Sequence, residues 1–150
     1  MSIKPAIAAL ALAALLSACA SPVKYDTPSG KPQGRFPGVG IDRVSQELIR
    51  RMTNVGGTLV QQTPNQLIFQ KKAEGTMVAV VFGTNYDRDV YAQLRFTLYQ
   101  TGDATEVVGE CAMVSNAGSA FEKQSDWTHS KDCSSMQVML DQLSQHLAAH

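Results

Sequence analysis

The chain has no surplus of charge, since 13 lysines and arginines stand against 13 aspartates and glutamates. That balance gives no support to strong attraction toward nucleic acid or anionic lipid. Long hydrophobic runs are missing too. The stretch from Ala6 to Leu16 holds about eleven apolar residues, a helix of roughly 16 Å and half the hydrocarbon thickness of a bilayer. A permanent transmembrane anchor is therefore not expected. The motifs of common chemistries are also absent: no GxSxG nucleophile elbow, no HExxH zinc helix, no phosphate-cradling glycine loop. Asp87 and Asp89 read as turn residues, because the spaced oxygen ligands of a calcium loop are missing. No metal or other cofactor is expected.

What is present begins at the N-terminus. Lys4 supplies a positive flank, the apolar stretch follows, and the small residues Ser17 and Ala18 precede Cys19. This is the layout of a secretory signal peptide over residues 1–18. Leu16-Ser17-Ala18-Cys19 resembles the lipobox of bacterial lipoprotein precursors. The resemblance implies cleavage before Cys19, a diacylglyceryl group on its thiol and commonly an acyl chain on the freed amine. Several chains hold a protein to a membrane firmly, where one holds it only marginally. Ala20 stands where an aspartate tends to retain such proteins at the inner membrane, so the resemblance implies the outer membrane, facing the periplasm. It covers the first twenty or so residues alone and implies nothing about the domain behind them. Loss of residues 1–18 with Lys4 leaves a net charge of about −1.

With Cys19 carrying lipid, Cys111 and Cys133 remain, an even pair in an oxidising compartment. A bridge between them would close a loop of about 23 residues and contribute roughly 3 kcal/mol in the chain-entropy picture. Residues 19–40 are expected to be a flexible tether, because positions 21–40 contain four prolines and four glycines and no apolar period. A single α+β domain is expected over residues 41–150.

Within that domain, Ile41, Val44, Leu48, Ile49, Met52 and Val55 recur at helical spacing, and Gly56-Gly57 supplies a left-handed stop. Strands are expected over Thr58–Gln62, Gln66–Lys71, Thr76–Gly83, Val90–Gln100 and Thr105–Ser115, joined by short turns as antiparallel neighbours. A short extra strand is expected around Ala120–Lys123. Ser134 and Gln137 form a capping-box pattern before a last helix whose stripe is Met136, Met139, Leu140, Leu143 and Leu147. A sheet of four to five strands with the C-terminal helix packed on one face buries all of these stripes. The order of elements resembles helix-grip-like envelope domains.

Three clusters are candidates for function. Asp126, His129 and Asp132 fall in an irregular loop, where a carboxylate–histidine pair would suit acid–base work on cell-wall or lipid material. His146 and His150 are four apart at a helix end, which is two ligands and not a site. Tyr91, Arg95 and Tyr99 lie on the outward side of the long alternating strand, and aromatic and arginine side chains are favoured as contact anchors. Arg50 and Arg51 would extend that surface. The expected task is non-catalytic binding of another envelope protein in assembly, secretion or surface structure. An inhibitor or small-ligand carrier, and a hydrolase, are the alternatives.

Overall fold

The computed structural model describes residues 21–73 and 90–149. Residues 1–18, Cys19, the strand expected at 76–83, Asp87, Asp89 and His150 lie outside them. The described chain forms β1 (Gln33–Pro37), α1 (Ile41–Asn54), β2 (Thr58–Thr63), β3 (Gln66–Lys72), β4 (Val90–Thr101), β5 (Ala104–Ser115), β6 (Lys123–Asp126) and α2 (Ser134–Ala148). Six strands among the described residues make one antiparallel sheet in the order β1-β5-β4-β3-β2, with β6 also paired to β5.

Strand alternation sorts the side chains onto two faces. The register pairs Leu67 with Phe96, Phe69 with Leu94, Leu94 with Cys111 and Leu98 with Val107, which puts these residues on one side. Phe36, Leu67, Phe69, Phe96, Leu98 and Val107 are buried there, in one cluster with Val44, Leu48 and Met52 of α1 and Met136, Leu140, Leu143 and Leu147 of α2. Both helices therefore cover the same face. The fold is α+β in two layers.

Helix α1 stops where the glycine pair predicts. Gly56 has φ +84°, its N–H bonds to Thr53 O at 3.0 Å, and the Gly57 N–H bonds to Met52 O at 2.9 Å. These are the two hydrogen bonds of a Schellman cap. Gly109 serves a different end: a Cβ there would fall 2.1 Å from Met136 Sδ, so its bare backbone lets α2 lie close to β5.

Four expectations are corrected. The sheet has six strands among the described residues, not four to five, because β1 and β6 both pair with β5. Residues 33–37, assigned to the tether, form β1, paired with Ala104–Val108. One large apolar residue, Phe36, buried to 1% exposure, holds this strand on the core. Two flanking prolines and Gly34 hide the alternation, and Pro37 is tolerated because β1 is an edge strand. The short strand forms at Lys123–Asp126, not at 120–123, because it pairs with Ala112–Ser115. The capping box does not form. Cys133 is the N-cap and makes no side-chain cap, while Ser134 Oγ donates to Lys131 O at 2.6 Å.

Gln137 is instead recruited to the sheet. Its Oε1 accepts from the Gln33 N–H at 2.8 Å and its Nε2 donates to Gln33 O at 2.9 Å, so one side chain satisfies both groups of an edge residue. Ser144 Oγ donates to Arg35 O at 2.8 Å, one further step along β1. Helix α2 thereby covers the outer edge that a strand would otherwise offer to another chain. Gln137→Ala is expected to cost about 1–2 kcal/mol in urea unfolding, because two partly buried backbone groups lose their partner. Gln137→Glu, which sets a carboxylate against Gln33 O and the Asp141 carboxylate in place of the donor, should cost at least as much.

Candidate binding face

The face of the sheet away from the helices carries Tyr91, Gln93, Arg95, Thr97 and Tyr99 of β4 beside Glu106 and Glu110 of β5, by the pairing of Arg95 with Glu110 and Tyr99 with Glu106. Tyr91, Arg95 and Tyr99 do share one side of β4, as their spacing predicts. They are not equivalent, however, and the two carboxylates of β5 organise the face.

Glu106 accepts from three neighbours. Arg35 Nη1 lies at 3.2 Å, Gln33 Nε2 at 3.0 Å and Tyr99 Oη at 3.1 Å. Glu110 is held between Lys31 Nζ on one side and Arg95 Nη1, at 3.4 Å, on the other. Each carboxylate thus links groups from the strands or segments flanking β5. Next along the sheet, Gln70 Nε2 donates to Gln93 Oε1 at 3.0 Å. Partial burial raises the Tyr99 hydroxyl above its ordinary pKa, and the adjoining Glu106 raises it further, so the phenol stays protonated as a donor.

These contacts are half-exposed, and such pairs contribute little to folding. Their effect is order. Tyr99 is 39% exposed and the Arg35 side chain 58%, yet both are held by the same carboxylate. Lys31, Arg35 and Arg95 stand against Glu106, Glu110 and the adjoining Asp126, three charges of each sign. Beside this ladder, Gln93, Arg95, Glu110, Gln124, Asp126 and Thr128 line a polar cleft of about 220 Å³. That is below the roughly 300 Å³ at which pockets for drug-sized ligands begin. Tyr91 lies apart from the ladder, in a separate depression with Gln70, Lys71 and Asn116.

The other candidates resolve differently. Arg50 and Arg51 bond Glu47 on α1, in the helical layer across the sheet, so they do not extend this face. The Arg50 hydrogen bond, with that of Arg51, pulls the Glu47 carboxyl down to about 2 against the cost of burial. Asp126 and His129 are each engaged elsewhere. Asp126 Oδ1 accepts from the Thr128 N–H at 2.9 Å, the main cause of its lowered pKa, while His129 Nδ1 bonds Val23 O at 2.8 Å. Among the described residues, no group of three or more His, Cys, Asp or Glu side chains is placed to hold a metal ion. No helix among them is long and apolar enough to cross a membrane. Cys111 and Cys133 are joined, with their Cα atoms 6.1 Å apart.

Sequence reasoning missed Arg35, Glu106, Glu110 and Lys31 as members of the face. Glu106 and Glu110 alternate outward along β5, a legible signal, but Lys31 and Arg35 reach the sheet only through β1. Comparison with protein-family models, curated proteins and solved structures finds no match to this chain.

Proposed function

We propose that the protein is a lipid-anchored module of the bacterial cell envelope, with its acyl chains on Cys19, and that it works by binding another envelope protein through the sheet face opposite its helices. The observation carrying this reading is the Glu106–Glu110 ladder, which fixes Arg35, Tyr99 and Arg95 in half-exposed positions. Arginine and tyrosine held in place before contact lose little conformational freedom on binding, which favours affinity. The balanced charges suit a partner patch that is polar. The lipobox supports the anchor, and confinement to a membrane raises the local concentration of partners there, so modest affinity suffices. Against the carrier alternative stands the filled layer between sheet and helices, where Phe36, Leu48, Phe96 and Leu140 are essentially fully buried. Against the hydrolase alternative, the side chains of Asp126 and His129 bond other groups and not each other.

A photo-crosslinking residue placed at position 99 in intact cells should give one discrete adduct. The same residue at position 145, exposed on α2, should give none. Arg35→Gln should weaken the adduct about fivefold or more, as loss of a contact anchor does, while leaving the melting temperature nearly unchanged. Equal adducts from positions 99 and 145 would count against the sheet face. No effect of Arg35→Gln would remove the ladder from recognition.

A further inference from the structure

The segment expected to be a long tether is bound to the domain almost from its start. The Val23 N–H donates to His129 O at 2.8 Å, and Val23 O receives His129 Nδ1 at 2.8 Å. Both backbone groups of one residue are thus held by a single partner, as in a strand pair. Two residues on, Tyr25 Oη donates to Thr128 O at 2.8 Å, and its ring lies 5.8 Å from the His129 imidazole. Thr27 Oγ1 then closes a turn on Lys31 O at 2.6 Å, Lys31 reaches Glu110, and the Gly109 N–H bonds Pro32 O at 2.7 Å.

From these contacts we infer that the domain does not stand off on a tether but is seated against the lipid leaflet by its Trp127–Lys131 turn. This rests on the lipid-anchor reading above. Only Ala20, Ser21 and Pro22 separate Cys19 from the bound Val23. Four Cα steps span at most about 14 Å. An acylated Cys19 sits at the level of the headgroups, so the turn holding Val23 lies within that distance of them. An unbound segment from Cys19 to Gly40 would permit roughly 70 Å. The charged residues in and around the turn, Lys24, Asp26, Asp126, Lys131 and Asp132, carry both signs. The short leash, and not charge attraction, holds the turn down. By contrast the β4–β5 turn at Asp103 lies eight positions along β5 from Cys111, whose carbonyl accepts the Trp127 N–H. That is about 27 Å of strand. The partner of the sheet face must accordingly be reachable within a domain's width of the leaflet.

Trp127 is the single tryptophan and reports the turn directly. The full lipidated chain is placed in phosphatidylcholine vesicles containing headgroup-nitroxide lipid, and its fluorescence quenching is compared with that of Trp127→Phe/Asp103→Trp. Quenching at 127 should be at least about threefold that at 103, and 0.5 M NaCl should not change it, since salt screens only charge attraction. Tyr25→Phe/His129→Ala should reduce the quenching at 127 toward the level at 103. Val23→Pro, which lacks the N–H bonded to His129, should do the same. Equal quenching at the two positions, loss of quenching in salt, or no response to either variant overturns the seating. Palmitate incorporation is followed in every sample. Labelled protein without the difference defeats the seating alone, whereas unlabelled wild type defeats the anchor and the seating with it.

Discussion

Cys111→Ala/Cys133→Ala should lose about 3 kcal/mol of stability, a fall in melting temperature on the order of 10 °C for a domain of this size. The bond joins residues 22 apart and encloses an excursion held otherwise by the pairing of β6 with β5 and by contacts of Trp127, Thr128 and His129. Residues 117–126 are exposed throughout, including all four residues of β6 and Phe121 at 78% exposure. Trp127 packs on the core and Thr128 is buried, its hydroxyl accepting from the Cys111 N–H at 3.2 Å. Those two anchors sit at the end of the excursion nearest the disulfide. Without the bond, the unfolded chain gains the freedom of the open loop, while the folded chain keeps its sheet and both helices. Hydrogen exchange in the double variant should therefore rise first across β6 and at the start of α2, where Cys133 is the N-cap. A loss below about 0.5 kcal/mol would mean that the unfolded chain is already restrained or that strain offsets the gain.

How far the sequence discloses this fold depends on where the information sits. Val90 to Gln100 alternate strictly, and β4 forms with Phe96 and Leu98 inward and Tyr99 outward. The stripe of α1 and its glycine stop are equally local, and both form, except that Val55 falls at the C-cap and is exposed. Failures occur where a distant partner decides. Gln33–Pro37 has too little apolar character to read as a strand, and becomes one because Phe36 has a place in the core and Ala104–Val108 offers an edge. Gln137 fits a capping box by spacing, yet the unpaired amide and carbonyl of Gln33 are partners that the helix start cannot match. The candidate face shows the same division. Tyr91, Arg95 and Tyr99 could be placed on one side of a strand from period alone. Which of them is held, and by what, depends on Glu106 and Glu110 across the ladder, and on Arg35 and Lys31, brought there by a segment that looks like linker.

The second large effect concerns Cys19. Serine in its place offers no thiol to the diacylglyceryl transfer that the lipobox resemblance implies, so no acyl chain is added there and cleavage by the dedicated peptidase should fail. Each chain contributes about 0.8 kcal/mol per buried methylene, and a protein with two or three chains stays on a bilayer through repeated washing. The contrast between the two versions should be close to all-or-none. The decisive measurement grows cells with radioactive palmitate and follows wild type and Cys19→Ser through labelling, gel mobility and envelope fractionation. Wild type should carry label, run as the mature chain and sediment with outer-membrane markers, while Cys19→Ser should carry none and run larger by the uncleaved 18 residues. Equal label in both versions, or none in either with unchanged fractionation, would contradict a lipid-anchored module.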